Sequence, residues 1–139
     1  MRAIIIFAIL AYPIVFGSCN RLPEDNGLTK LSLWREINKY PFADAELVMK
    51  SAILESGYGL DSRNVVSRNN LFGMKCNLRG AGCQGGYAVY DSWQESVKDR
   101  YLHEARWLRQ GEEYCSYLNR NWGYGGTYCE LLADVHWLP

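Results

Sequence analysis

The chain has no surplus of either charge. Fifteen basic and fifteen acidic residues cancel over 139 positions, and no run of lysines or arginines stands ready to meet a phosphate backbone. The electrostatic footprint of a nucleic-acid-binding protein is therefore absent. Histidine is nearly missing: His103 and His136 stand alone. There is no Cys-x-x-Cys pair either, so the usual zinc ligand sets are lacking, and no metal or other cofactor is expected. No internal repeat or low-complexity segment occurs, which sets aside solenoid and fibrous architectures.

What is present starts at the N-terminus. Arg2 precedes an apolar run from Ala3 to Phe16, with no polar face, that is too short to cross a bilayer comfortably. Small residues follow at Gly17 and Ser18, the pattern of a secretory signal over 1–18. Phe16-Gly17-Ser18-Cys19 resembles the lipobox of bacterial lipoproteins, which would place a lipid, and hence a membrane attachment, on Cys19. Ordinary cleavage after Gly17 is the alternative. The polar stretch 19–28 then reads as a tether, and 29–139 as one compact domain, since 48% apolar and 22% charged residues fit a single globular core. With Cys19 set aside, an even set of Cys76, Cys83, Cys115 and Cys129 remains in an exported chain, and disulfides are the natural inference. Of the three connectivities, the nearest-neighbour one pairs Cys76 with Cys83 and Cys115 with Cys129.

Helical patterns dominate the domain. Thr29 caps a helix from about Lys30 to Asn38 whose apolar side is Leu33, Trp34 and Ile37, before Tyr40-Pro41 breaks it. A second helix begins near Asp44. Its buried face is Ala45, Val48, Met49, Ala52 and Ile53, and it runs out at Ser56-Gly57, leaving Glu55 in the last turn. A short helix and turn are expected between Asp61 and Lys75, and a strand at Tyr87 to Tyr90. Ser92 and Glu95 have capping-box spacing before a long helix with an apolar stripe of Val97, Tyr101, Leu102, Ala105 and Leu108. Two more helices fit Glu113 to Asn119 and Tyr128 to Leu138, the second with Thr127 and Glu130 as its capping box. The fold class is α+β, mostly helical, with a small β lobe.

Three ordered segments carry the chemistry: Ser51-Ala52-Ile53-Leu54-Glu55-Ser56-Gly57-Tyr58-Gly59, then Asn69-Asn70-Leu71-Phe72-Gly73-Met74-Lys75, then Gly86-Tyr87-Ala88-Val89-Tyr90-Asp91-Ser92-Trp93-Gln94-Glu95. Together they resemble the successive motifs of the glucosaminidase family, glycoside hydrolase family 73, which includes autolysins and flagellar rod hydrolases. The resemblance implies a lysozyme-like fold and hydrolysis of the β-1,4 bond between N-acetylglucosamine and N-acetylmuramic acid in peptidoglycan, outside the cytoplasm, with Glu55 as general acid. Physical chemistry points to the same residue. A glycosidic oxygen leaves poorly until protonated, so a carboxyl that keeps its proton near neutral pH is needed. The negative end of a helix and a cleft lined by Tyr58 and Phe72 would both favour the protonated form.

The second catalytic group is less defined. No acidic residue lies between Asp61 and Asp91, so the β lobe lacks the acid that many family members place there. Asp91 is the nearest candidate by position, although it also reads as the entry to a capped helix. Substrate assistance by the sugar's acetamido group, or water held by neutral side chains, are the other routes. The family's aromatic residue before the last helix falls on Tyr124, with Trp122 as its rival. Asn69 and Asn70 either hold a turn or bind an acetamido group. Tyr58, Asn70, Phe72 and Trp122 complete the expected sugar-binding set. A muramidase or lytic transglycosylase would share the fold and the acid, and a catalytically silent wall-binding protein would keep only the cleft.

Overall fold

A computed structural model describes residues 26–76 and 82–137. The signal at 1–18, the Cys19 lipid site and the tether up to residue 25 lie outside the described residues. Trp93 Nε1 donates to the Asn26 carbonyl at 3.0 Å, Ser32 Oγ donates to the Gly27 carbonyl at 2.7 Å, and Leu28 packs on the core. Residues 26–28 thus belong to the folded domain.

Among the described residues are six α-helices and one two-stranded hairpin, the mostly helical α+β class that the patterns predict. Helix α1 (Lys30–Ile37) starts at a reciprocal capping box. The Thr29 hydroxyl accepts from Ser32 N–H, and Thr29 N–H donates to Ser32 Oγ at 2.8 Å. Asp44 caps α2 (Ala45–Ser56) by accepting from Leu47 N–H at 2.9 Å. Val48, Met49, Ala52 and Ile53 are fully buried along α2, each of the larger ones contributing roughly 2 kcal/mol of transfer free energy. The helix stops at Gly57, whose φ of +79° is cheap only for glycine. Glu55 is thereby fixed in the final turn.

Helix α3 (Arg63–Arg68) ends on Asn69 in the left-handed conformation. The hairpin β1 (Gly82–Gln84) and β2 (Tyr87–Val89) pairs Cys83 with Ala88 across a Gly85-Gly86 turn, where φ values of +60° and +82° are those of a tight two-residue connection. Lys75 bridges to Tyr87 on the open edge of β2. A disulfide joins Cys76 to Cys83, with Cα atoms 5.4 Å apart. The β lobe is therefore one covalently closed unit standing next to α3.

Helix α4 (Trp93–Trp107) is capped by Ser92 as the spacing predicts, but the Glu95 carboxylate reaches back to Asp91 N–H at 3.2 Å. The expected apolar stripe of α4 is corrected. Leu102 and Ala105 face solvent, whereas Trp93, Ser96, Val97, Asp99, Arg100 and Glu104 are buried. The helix has rotated its charges inward because they find partners there. Arg100 and Glu104 bond each other at 3.2 Å, and Tyr90 Oη donates to Asp99 at 2.7 Å. These hydrogen bonds offset most of the usual penalty for burying such groups, although Nε of Arg100 is buried without a partner.

Helices α5 (Tyr114–Trp122) and α6 (Tyr128–Ala133) form a second small core of Tyr117, Leu118, Tyr128 and Leu132. A disulfide between Cys115 and Cys129 ties them, closing a loop worth about 3 kcal/mol of unfolded-chain entropy. The expected Thr127–Glu130 capping box does not form: Thr127 has φ −107° and ψ 12°, away from the extended geometry a cap requires, and its side chain makes no cap bond. Helix α6 also ends at Ala133, short of the Leu138 expected, because the chain turns there to bury Val135 and to set Trp137 on Trp34, ring centroids 4.8 Å apart.

Candidate active site

The last turn of α2 and the β lobe face each other across an open cleft of about 390 Å³, lined by Glu55, Ser62, Arg63, Asn64, Arg68 and Tyr87. Glu55 is the one carboxylate in that lining. Its position follows from the α2 register: the residues that face the core place Ser51 and Glu55, one turn apart, along the edge of the buried face.

Three neighbours surround the carboxyl. Gly73, at the end of the Asn-Asn-Leu-Phe-Gly segment, has φ +60°, and a Cβ there would stand 3.2 Å from Glu55 Oε2. Tyr128 from α6 comes from the core side, and Lys75 supplies a nearby positive charge. Oε1 of Glu55 and Oγ of Ser51 are buried without a hydrogen bond of ordinary geometry, and the Tyr128 hydroxyl interacts electrostatically with both residues. Burial pushes the Glu55 carboxyl above the usual carboxylate range, while Tyr128 and Lys75 pull it part of the way back. Tyr128 in turn is held well above the ordinary phenol value, first by its own burial and then by the Glu55 charge, so it stays a neutral hydroxyl beside the acid.

Gly73 is a sharp test of this packing. Gly73→Ala is expected to force a β-carbon into the left-handed region and against Oε2 at once, costing about 1 to 3 kcal/mol. Cleavage should drop further than that stability loss explains, because the carboxyl has to shift by a few tenths of an ångström. Parallel thermal melts and turnover assays on wild type and variant check this; unchanged turnover would mean that Glu55 tolerates displacement.

The other expected site residues are distributed differently. Asn70 is fully buried, its amide donating to the Met74 and Ala88 carbonyls at 2.9 Å each and its oxygen accepting from Met74 N–H. These bonds all go to backbone, and they hold the turn that presents Gly73. Asn69 acts likewise, donating to the Tyr90 carbonyl. Phe72 is fully buried and offers no face to a glycan. Tyr58 is 57% exposed beyond the end of α2 and does not line the cleft. Trp122 is half-buried, gives its indole N–H to the Phe72 carbonyl at 3.2 Å and covers the Arg100 guanidinium at 4.5 Å. It thus supports the loop from beneath. Asp91 is exposed at the start of α4, outside the cleft lining. Tyr124 falls in a short 3-10 turn, Tyr124–Gly126.

Sequence reasoning assigned Gly73 to the cleft wall, but missed Tyr128 and Ser51 as neighbours of the acid, and Arg63, Asn64 and Arg68 as cleft residues. Ser51 was within reach, since residues four apart on a helix share a face. Nothing local marks Tyr128: it meets Glu55 only because α6 packs against α2.

A single carboxyl whose pKa is raised by burial, set in an open polar cleft, is the kind of group that can protonate the bridging oxygen of a glycoside. The comparison with known families agrees with that class. Residues 32–135 match the glucosaminidase family model, described as mannosyl-glycoprotein endo-beta-N-acetylglucosaminidase, and the chain belongs to this family. No curated protein and no solved structure matches the chain.

Proposed function

We propose that the protein is an envelope endo-β-N-acetylglucosaminidase that hydrolyses the β-1,4 bond between N-acetylglucosamine and N-acetylmuramic acid, with Glu55 as general acid. The observation that carries this reading is the burial of the Glu55 carboxyl at the cleft, which raises its pKa above the ordinary carboxylate value and so favours the protonated form that a general acid needs. The two disulfides support action in an oxidising compartment. Tyr128 and Gly73 are positioning residues that fix the direction in which the proton is delivered.

No acidic residue occurs from 62 to 90 in the sequence, and Glu55 is the sole carboxylate of the described cleft lining. Asp91 is therefore a poor candidate for the base. The sugar's own 2-acetamido oxygen fits the second role better, as in substrate-assisted glycosidases. Mass spectrometry of glycan ends released from purified peptidoglycan tests the assignment. New reducing ends at N-acetylglucosamine are expected. Reducing muramic ends would make the enzyme a muramidase, and anhydro ends a lytic transglycosylase. A chain that binds walls and releases nothing would be a recognition protein.

A further inference from the structure

The cleft is more positive than a neutral sugar requires. Arg63 and Arg68 line it, and Lys75 stands beside it with Nζ 3.6 Å from the centre of the Tyr87 ring. Among the described residues no carboxylate lies within ion-pair range of any of the three. Arg68 is fixed by neutral acceptors only: Nε donates to the Gln84 carbonyl at 3.2 Å and a terminal nitrogen donates to Asn64 Oδ1 at 3.0 Å. Its fork is held in place while its charge stays uncancelled. Arg63 is exposed and makes no side-chain bond to any of the described residues. The chain as a whole is neutral, so this concentration of cations is local to the cleft and not a by-product of a basic protein.

The lining holds a single carboxylate, Glu55, against two arginines, so the balance of charge there is positive. Low-dielectric walls and an unbalanced charge of one sign attract and orient an anionic ligand. From this we infer that Arg63 and Arg68, with Lys75 behind them, form an anion subsite that reads a carboxylate carried by the glycan. Peptidoglycan presents such groups on its stem peptides, and on the muramic lactyl ether wherever the stem peptide, joined there as an amide, has been removed, whereas a chitin strand has none. The inference rests on the peptidoglycan reading above and adds a specificity to it: the protein selects glycan that bears carboxylates, using groups separate from the acid that breaks the bond.

Binding to the inactive Glu55→Gln protein isolates this step from catalysis. The titrants are three soluble strands of equal length: peptide-bearing strands, the same strands with every carboxyl capped as a neutral methylamide, and strands stripped of peptides so that only lactyl carboxylates remain. Capped strands are expected to bind at least about tenfold more weakly than peptide-bearing ones, with the difference shrinking in about 0.5 M salt as exposed pairs are screened. Stripped strands, whose lactyl carboxylates are freed from the amide bond, bind like peptide-bearing ones if the subsite also accepts a carboxylate at the lactyl position, and like capped ones if it reads the stem peptide alone. Adding Arg63→Gln should weaken peptide-bearing strands roughly threefold, and Arg63→Glu more, since each alters one exposed pair. Arg63 has no partner to lose, so these variants should melt like the parent. Equal binding of capped and peptide-bearing strands, or no response to Arg63→Glu, overturns the subsite. Failure of wild type to release glycan ends would instead sink the proposed activity and leave these binding results standing.

Discussion

Glu55→Gln is expected to lower glycan cleavage by at least about 10²-fold while the domain still folds, because general acid catalysis is typically worth that much or more. The amide fills the same space against Gly73 and Tyr128 but has no proton acidic enough to deliver to a leaving oxygen. The pH dependence follows from the direction of the Glu55 shift. Burial raises its folded-state pKa above that of the unfolded chain, so between the two values the native state holds a proton that the unfolded state has lost. Stability contributed by this group is complete below the unfolded value and falls as pH rises through the folded one. Cleavage should decline over the same upper limb, as the acid ionises. The Gln variant removes the ionisation, so its melting temperature relative to wild type should climb as pH rises across that window. Melts and initial rates collected over a pH series read both effects. A variant that digests walls within about tenfold of wild type would mean that another group supplies the proton.

Much of the architecture was legible where local chemistry decides it. The caps at Thr29 and Ser92, the helix start near Asp44 and the stop at Gly57 depend on residues within one turn of each other, and the structure has all four. The candidate acid was legible for the same reason, since α2 carries a clean apolar face and ends on glycine. What could not be read locally was contact between distant segments. Asn70 and Phe72 belong to a motif that surrounds the acid, yet they act from the core: one satisfies the backbone of the turn, the other fills space beneath it. Tyr128 meets Glu55 through helix packing alone. The face of α4 was misread because a hydrophobic stripe presumes that charged residues seek water, and Arg100 and Glu104 find their partners inside.

Arg100→Ala should be the most destabilising single change in the domain. Arg100 is fully buried, bonding Glu104 at 3.2 Å, Tyr117 Oη at 3.2 Å and Tyr114 Oη at 2.9 Å, with the Trp122 ring 4.5 Å from its guanidinium carbon. Glu104, 3% exposed, also accepts from Ala43 N–H at 2.8 Å, so it anchors the segment that leads into α2. Against this group burial and the Glu104 charge outweigh Arg100, and they raise Tyr117 to about 12 and Tyr114 further. Both phenols therefore stay neutral donors or acceptors at any physiological pH. Removing Arg100 leaves a buried carboxylate with no cation, which typically costs about 3 to 5 kcal/mol. For a domain of this size that is a fall in melting temperature on the order of 15 °C. The loss should reach the cleft too, because Trp122 rests on Arg100, bonds the Phe72 carbonyl, and Phe72 precedes the glycine packed on Glu55. A double-mutant cycle separates an ion pair from mere space filling. Arg100→Met with Glu104→Gln keeps the volume and the acceptor for Ala43 while removing both charges, and should be well above Arg100→Met alone in melting temperature. If the two substitutions instead add to a larger loss, with no coupling, the pair contributes by packing and the inward turn of α4 needs another cause.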